Sequence, residues 1–172
     1  MTTKLQEVDH IPWVWGSVPR ALRARGRPAN IEGQPLESVN VYRDLGLFTA
    51  SNLSWNQHVD KITAKANRVL GLVKRTYRDL KDIDTMNTLY CSLVRPLLEY
   101  SCETWNPHTK RNIDKLEAVQ QRATRWITRS DDDYDTRLSK LKLLSLSNRR
   151  FTSDVTFFFN VINGHFKQAH IL

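Results

Sequence analysis

Apolar and polar residues alternate over residues 31–48, a pattern that predicts short β-strands. The apolar side chains on alternating positions are Val39, Val41, Leu45 and Leu47. Before them, Glu32-Gly33-Gln34 can form a tight turn. We therefore expect two or three short strands, and so small a layer is only marginally stable without a surface to pack on.

From residue 54 onward the apolar positions recur every three or four residues, as on one face of an amphipathic helix. The first helix is predicted to begin at Ser54, which precedes Gln57 by the spacing of a capping box, and to end near Arg78. Its predicted apolar face comprises Trp55, Val59, Ile62, Ala66, Val69, Leu70, Val73 and Tyr77.

Two further helices have the same period. The second is predicted to begin near Asp84, with Pro96 as a kink. The third is predicted to begin at Asn106-Pro107, a cap followed by a first-turn proline, and to end by Ser130. The apolar face of the second comprises Met86, Leu89, Tyr90, Leu93, Val94, Leu97 and Leu98. That of the third comprises Ile113, Leu116, Val119, Ala123, Trp126 and Ile127.

The last part of the chain is predicted to contain an acidic loop at residues 131–133 and a short helix around Leu138 and Leu141. A final helix is predicted to be capped by Ser145 and to end at Gly164. Its apolar side chains are Phe151, Val155, Phe158, Phe159 and Ile162. The predicted fold class is therefore mainly α, a bundle of three to five helices with a short N-terminal β-hairpin.

Charge changes this ordinary globular picture. The chain has 172 residues, enough for one domain or one and a half, and a formal net charge of +8. A basic excess of this size favours polyanionic partners, nucleic acid first and an acidic membrane surface second. Residues 55–81 hold seven basic and two acidic side chains, and residues 107–129 hold six and two, so the positive charge is concentrated in two helices.

The basic residues of these helices recur at helical spacing and form two stripes. The stripe of the first helix comprises Lys61, Lys65, Arg68 and Arg75, and Lys74 and Arg78 widen it. The stripe of the third helix comprises Arg111, Lys115, Arg122 and Arg129, with Arg125 adjacent. Such stripes suit a phosphate backbone, which attracts Lys and Arg whatever the base sequence. The predicted phosphate contacts are Lys61, Lys65, Arg68, Arg75, Lys115, Arg122, Arg125 and Arg129. The alternative is an ordinary solvated helix face.

Residues 1–30 differ from the rest of the chain. Arginines there lie among Pro19, Gly26 and Pro28, a composition that favours a loosely ordered arm over a long helix. A basic arm with Trp13 and Trp15 could bind nucleic acid. An unrelated leader is the preferred interpretation, because nothing in its pattern links this segment to residues 31–172.

Candidate catalytic and metal-binding groups are weak. Residues 131–133 and Asp135 could hold Mg²⁺, but they come after no apolar strand and are typical of a solvated linker. No pair of the five histidines has the spacing of a metal motif, and His58 and His108 are expected to be surface or capping residues. Trp105 and Trp126 are expected to be core anchors rather than base-stacking platforms. No cofactor is expected.

Two cysteines, Cys91 and Cys102, cannot build a disulfide scaffold and are expected to be buried thiols in a reducing compartment. The sequence has no signal-peptide core and no apolar run of membrane-spanning length. We therefore expect an intracellular protein of the nucleus or cytoplasm, neither secreted nor bound to a membrane.

Residues 93–100, 105–108 and 114–123 resemble the region after the polymerase core in reverse transcriptases of LINE-type (non-LTR, jockey-like) retrotransposons. Residues 31–39 and 41–47 resemble the family's hairpin and primer-grip strand, with Leu45, Gly46 and Leu47 at the grip. Residues 52–59 and 65–68 resemble the start of the helical thumb, and residues 148–164 a downstream helical segment. Asp44 and Leu144 stand where the family usually has aromatic residues.

In that family the thumb and grip clamp a template-primer duplex while the palm copies RNA into DNA. The resemblance implies a grip-like hairpin at 31–50 and a thumb-like helical domain at 51–130. Residues 1–30 remain an unassigned basic leader, and residues 131–172 are expected to form an acidic loop and C-terminal helices. The palm's paired aspartates have no counterpart here, so the chain is expected to be a truncated fragment that binds nucleic acid and is not an enzyme. The alternative is a helical protein-interaction module or a non-functional relic, in which the hairpin could mediate self-association.

Overall fold

The structure is a computed structural model that describes residues 30–31, 34–35 and 39–164. The predictions for the leader, for the turn at Glu32-Gly33, and for His165 and His170 lie outside these residues. The chain divides into two compact units, with the boundary between Ser54 and Trp55.

The first unit contains two antiparallel hairpins. Strand β1 (Asn30–Ile31) pairs with β2 (Gln34–Pro35), and β3 (Val41–Asp44) pairs with β4 (Leu47–Ala50). The prediction of short strands over residues 31–48 is confirmed. The predicted alternation fails at two positions. Val39 lies before β3 and is 39% exposed, and Leu45 lies in the turn between β3 and β4 and is 83% exposed.

The second unit begins with helix α1 (Asn56–Thr76), and its predicted cap is wrong. Trp55 occupies the N-cap position, where its carbonyl accepts the first helical hydrogen bond from Val59 at 2.9 Å. The backbone N–H of Ser54 instead donates to Oδ1 of Asn52 at 3.1 Å. This local turn keeps Ser54 outside the helix, so the capping-box spacing to Gln57 has no structural counterpart.

The predicted second helix is a continuous rod over residues 83–99, capped by Asp82, which accepts from the N–H of Thr85 at 2.8 Å. It consists of α2 (Ile83–Leu89), a π-helical turn (Tyr90–Val94) and α3 (Arg95–Glu99). The wider turn lies directly before Pro96, which has no N–H to donate and whose ring crowds the preceding turn.

The π-helical turn changes which side chains of the rod are buried. One more residue in the turn moves Leu93 off the predicted apolar face, and it is 46% exposed. The buried side chains of the rod are spaced four apart: Met86, Tyr90, Val94 and Leu98.

The predicted start of the third helix is also wrong. Asn106-Pro107 comes after a short unpredicted helix, α4 (Cys102–Trp105), and α5 (Lys110–Thr128) begins after Thr109. The side chain of Asn106 donates to Oδ2 of Asp154 at 2.5 Å instead of capping a helix. This long-range contact uses the polar group that local spacing had assigned to a cap.

Helices α6 (Tyr134–Lys140) and α7 (Leu146–Ile162) complete the second unit. The predicted cap of α7 is confirmed, since Oγ of Ser145 accepts from the N–H of Asn148 at 3.2 Å. Gly164 has a φ of 64° just past the end of α7, as expected for a helix stop. The predicted mainly helical fold with an N-terminal hairpin is confirmed.

Helix α7 packs mainly through polar side chains. Arg149 forms a two-point contact with Glu99 at 2.5 and 3.0 Å, and Ser153 donates to Glu103 at 2.5 Å. Leu146, at the start of the helix, is completely buried, but most of its other apolar side chains are exposed, including Phe151 at 69% and Phe158 at 65%. The core lies instead between α1, the rod and α5, around Val59, Leu70, Tyr90, Leu116 and Ile127.

Candidate nucleic-acid interface

The two basic helices, α1 and α5, pack against each other and run parallel. Asn112 donates to Asn56 at 2.8 Å, and about three turns further along, Arg122 donates to Asn67 at 2.9 Å. A residue of α1 thus faces the residue about 55 positions later in α5. Parallel packing means that the two basic stripes run in the same direction along the helix pair. The Lys115–Asp60 and Arg122–Asn67 contacts lie at the exposed edge of the helix pair, whereas Asn112 is buried.

All four predicted cations of α1 are exposed: Lys61, Lys65, Arg68 and Arg75. At 100° per residue they lie on the arc of the helix beyond the polar contacts with α5, away from its buried residues. The stripe that periodicity predicts on this helix is therefore a continuous, accessible row of positive charge.

The cations of α5 are engaged by neighbouring groups. Lys115 forms an ion pair with Asp60 on α1, and Arg122 donates to Asn67. Arg129 ends the helix in a left-handed conformation, with φ of 49°, and donates to the carbonyl of Leu80 at 2.7 Å. The charge of Lys115 is thus offset by a carboxylate. Arg122 and Arg129 donate to neutral oxygens, which do not offset their positive charge.

Arg125 forms only a weak described ion pair. Its side chain is 67% exposed, and Nε lies 3.9 Å from Oδ1 of Asp131, whose side chain is 99% exposed. An ion pair this long and this accessible contributes little. Arg125 is therefore available to another anion.

Lys74 holds a position that the stripe pattern did not single out. Its ammonium group donates to the carbonyl of Arg122 at 3.2 Å and lies 6.0 Å from the centre of the Trp126 ring. Burial, and then the nearby charge of Arg122, lower the pKa of Lys74 below its usual value. Residue spacing predicts only that Lys74 widens the α1 stripe, and its place against α5 depends on the helix packing.

Lys74 forms one side of an open depression on the outer face of α5. The volume of this depression is about 470 Å³. Its lining residues are Lys74, Ala118, Gln121, Arg122, Arg125, Trp126 and Arg137. Trp126 is thus only partly buried and borders this surface, whereas Trp105 is the core anchor that was predicted, at 1% exposure.

The prediction that His58 is a surface or capping residue is wrong. His58 is 1% exposed, with its ring centre 4.8 Å from that of Trp105 and 6.0 Å from that of Trp55. Burial lowers its pKa to about 4, so the neutral imidazole is part of the core. His58 is three positions after Trp55 and four before Ile62, so it lies at the edge of the predicted apolar face. The pattern did not predict that Trp105 would cover this edge. His108 is exposed.

The acidic run has structural partners. Asp132 accepts from Lys140 at 2.5 Å, which is the main reason that its pKa is lowered, and Asp133 caps α6 by accepting from the N–H of Thr136 at 3.0 Å. Among the residues described, no three His, Cys, Asp or Glu side chains are grouped as a metal site would require.

Leu45, Gly46 and Leu47, the residues that resemble a primer grip, lie at the β3–β4 turn. Leu45 and Gly46 have φ of 45° and 89°, the positive values of a tight two-residue hairpin turn. Glycine adopts this conformation without cost, whereas Leu45 is strained and projects into solvent. Leu47 begins β4 and is half-buried.

None of the described helices combines the length and apolar character needed to cross a bilayer.

The chain is similar to two known proteins. It is 27% identical over 131 residues to an uncharacterized protein of Caenorhabditis elegans, covering 74% of this chain and 66% of that protein. It is 26% identical over 106 residues to a probable RNA-directed DNA polymerase from the transposon X-element of Drosophila melanogaster, covering 59% of this chain and 11% of that protein.

No protein-family model and no solved structure matches the chain. The chain spans about two thirds of the length of the nematode relative and about a ninth of the length of the transposon polymerase. The comparisons therefore support a partial, distant similarity to a transposon RNA-directed DNA polymerase.

Proposed function

We propose that this chain corresponds to the primer-grip and thumb side of a LINE-type, jockey-like non-LTR reverse transcriptase, and that it binds nucleic acid without regard to base sequence. Residues 31–50 would be the grip-like hairpin and residues 51–130 the thumb-like helices. The observation that carries the proposal is the parallel packing of α1 and α5, which makes their two basic stripes run in the same direction.

The dimensions of the α1 stripe suit a nucleic-acid strand. Lys61 and Arg75 are fourteen positions apart, which is about 21 Å along a helix. Phosphates of one strand are about 3.4 Å apart along the axis, so the stripe spans about six nucleotides. Neutralising phosphates releases condensed counterions, and this supplies affinity that is independent of sequence.

The proposed role is binding rather than catalysis. Nucleotidyl transfer needs carboxylates that hold two metal ions. In the described acidic run, Asp132 is engaged by Lys140 and Asp133 by the first turn of α6, which supports a structural role for these carboxylates. We also propose an intracellular location, because Cys91 and Cys102 are both free thiols, as is usual in a reducing compartment.

A matched pair of variants tests the proposal. The stripe variant carries Lys61→Gln, Lys65→Gln, Arg68→Gln and Arg75→Gln, and the control carries Arg43→Gln, Lys110→Gln, Lys140→Gln and Lys142→Gln. Each removes four positive charges, so their net charges are equal. Fluorescence anisotropy with a 12-nucleotide strand should show at least a tenfold loss for the stripe variant and a much smaller loss for the control. Equal losses would mean that net charge alone attracts the strand, and would refute an interface at α1.

A second candidate function is protein interaction, which the exposed apolar side of α7 favours. Phe151, Val155 and Phe158 are each at least half exposed, an unusual amount of apolar surface for one helix. The β3–β4 hairpin could also pair with a second copy. Concentration-dependent sedimentation without any nucleic-acid binding would favour this function over the first.

A further inference from the structure

Four cations line the depression on α5. They come from three helices: Lys74 from α1, Arg122 and Arg125 from α5, and Arg137 from α6. None of the seven lining residues is acidic. A concave surface with this composition concentrates positive potential at one point, whereas the α1 stripe spreads it along a line.

The hydrogen-bond partners of these cations are mainly neutral. Lys74 donates to a carbonyl and Arg122 to the Asn67 amide oxygen. Arg137 donates to Oγ1 of Thr124 at 3.3 Å and to the carbonyl of Asp132. The one carboxylate that forms a described ion pair with a lining cation is Asp131, at 3.9 Å from Arg125 and almost fully exposed. Asp132 also lies close enough to Arg137 for that charge to help lower its pKa, although the main partner of Asp132 is Lys140. The described hydrogen-bond partners of Lys74 and Arg122, in contrast, are neutral.

Arg137 is a buried and fixed cation of the depression. It is 4% exposed, and a buried guanidinium is normally paired with an anion because removing it from water is costly. One hydrogen bond holds it against Thr124 of α5 and the other against the loop carbonyl of Asp132, and the centre of the Tyr134 ring lies 5.9 Å from its Cζ. The side chain is thus fixed at the edge of the depression before any ligand arrives.

Burial and the nearby positive charge of Arg122 both lower the pKa of Lys74. Both therefore disfavour its charged form, and a bound anion would stabilise that form. The Gln121 amide lines the same depression and can donate a further hydrogen bond.

We propose that this depression binds the terminal phosphate of a nucleic-acid strand, a phosphomonoester dianion. This inference rests on the proposed nucleic-acid function and deepens it. A phosphomonoester carries more charge than the singly charged diester inside a strand, and arginine forks match its oxygens. A terminal phosphate also has a nucleoside on one side only, so it can enter a concave site that a phosphate inside the strand would not fit. The α1 stripe would hold the adjacent diesters.

Four ligands test the proposal. The full chain is titrated with a 12-nucleotide strand carrying a 5′-phosphate, a 3′-phosphate, or hydroxyls at both ends, and inorganic pyrophosphate is titrated separately by calorimetry. At least one phosphorylated strand should bind about tenfold more tightly than the hydroxyl strand, because charge-assisted hydrogen bonds are gained at the site. A ratio near one for both phosphorylated strands overturns the proposal.

Variants locate the preference. Arg125→Gln removes an exposed cation of the depression, and Lys74→Gln removes a half-buried one. Both should reduce the preference for the terminal phosphate to about one while the hydroxyl strand still binds. The control Lys65→Gln, in the α1 stripe, should weaken all strands equally and keep the preference. A preference that persists in Arg125→Gln and Lys74→Gln overturns the assignment to this site.

Pyrophosphate separates this inference from the proposed function. Pyrophosphate that binds the wild-type chain and not the Arg125→Gln variant supports the phosphate site, even where no strand binds and nucleic-acid binding itself is refuted. Strand binding with no terminal preference and no pyrophosphate binding supports the general interface and rejects the phosphate site.

Discussion

The hydroxyl of Tyr90 donates a hydrogen bond of 2.7 Å to Oε1 of Gln120, and both side chains are completely buried. The amide group of Gln120 in turn donates to the carbonyl of Leu144 and to the hydroxyl of Tyr134, each at 2.9 Å. One glutamine therefore joins the rod, α5, α6 and the segment before α7. The same α5 carries the basic edge of the proposed interface on its other side.

We expect Tyr90→Phe to destabilise the fold by about 1–3 kcal/mol, because it leaves a buried amide oxygen without its donor. Urea denaturation measured by circular dichroism gives this change. Tyr42→Phe, at an exposed hairpin position, should leave the free energy of unfolding unchanged. A Tyr90→Phe protein as stable as the wild type would show that the Gln120 network does not support the core.

The buried imidazole of His58 predicts a dependence of stability on pH. Its pKa of about 4 in the folded chain lies below the unfolded value near 6.5, so the unfolded chain binds the proton more readily. The free energy of unfolding should therefore fall as pH falls from about 6.5 to 4, by roughly 3 kcal/mol in total. Urea titrations at each pH measure it.

Two histidine variants separate this effect from other titrating groups. His58→Gln should flatten the dependence between about pH 6.5 and 5, even where it lowers overall stability. His108→Gln, at an exposed position, should retain the wild-type slope. Wild-type stability that does not change over this range would contradict the burial of a neutral His58.

The two cysteines should react slowly in the folded chain. Burial raises the pKa of Cys102 and of Cys91, and Cys102 is 3% exposed. Reaction with a thiol-specific chromophoric reagent at about pH 7.5 should be slow without denaturant and fast in urea. The Cys91→Ser variant isolates Cys102, and a Cys102 that reacts as fast folded as unfolded would contradict its burial.

Regular periodicity predicts the positions of the long helices, because the apolar face that it defines is the face that packs against the core. Cap signals were less reliable, since Ser145 caps its helix whereas Ser54 and Asn106 do not. Each of these side chains has several possible local partners. In the case of Asn106 the partner is Asp154, 48 residues away, which no local spacing reveals.

In the candidate site, too, one part follows from residue spacing and another depends on helix packing. The α1 stripe can be derived from residue spacing alone, and its exposure agrees with it. The depression on α5 cannot, because Lys74 and Arg137 join Arg125 only through packing of three helices. The burial of His58 likewise depends on Trp105, which approaches from a helix that the sequence pattern did not predict.

The salt dependence of strand binding tests the central claim most directly. For the wild-type chain and a 12-nucleotide single strand, the logarithm of the association constant should fall linearly with the logarithm of salt concentration, with a slope of about −3 to −5 for several neutralised phosphates. The stripe variant, with glutamine at Lys61, Lys65, Arg68 and Arg75, should have a slope shallower by about 2 to 3. An unchanged slope in that variant, or no measurable binding by the wild type at low salt, would contradict a phosphate-binding face on α1 and α5.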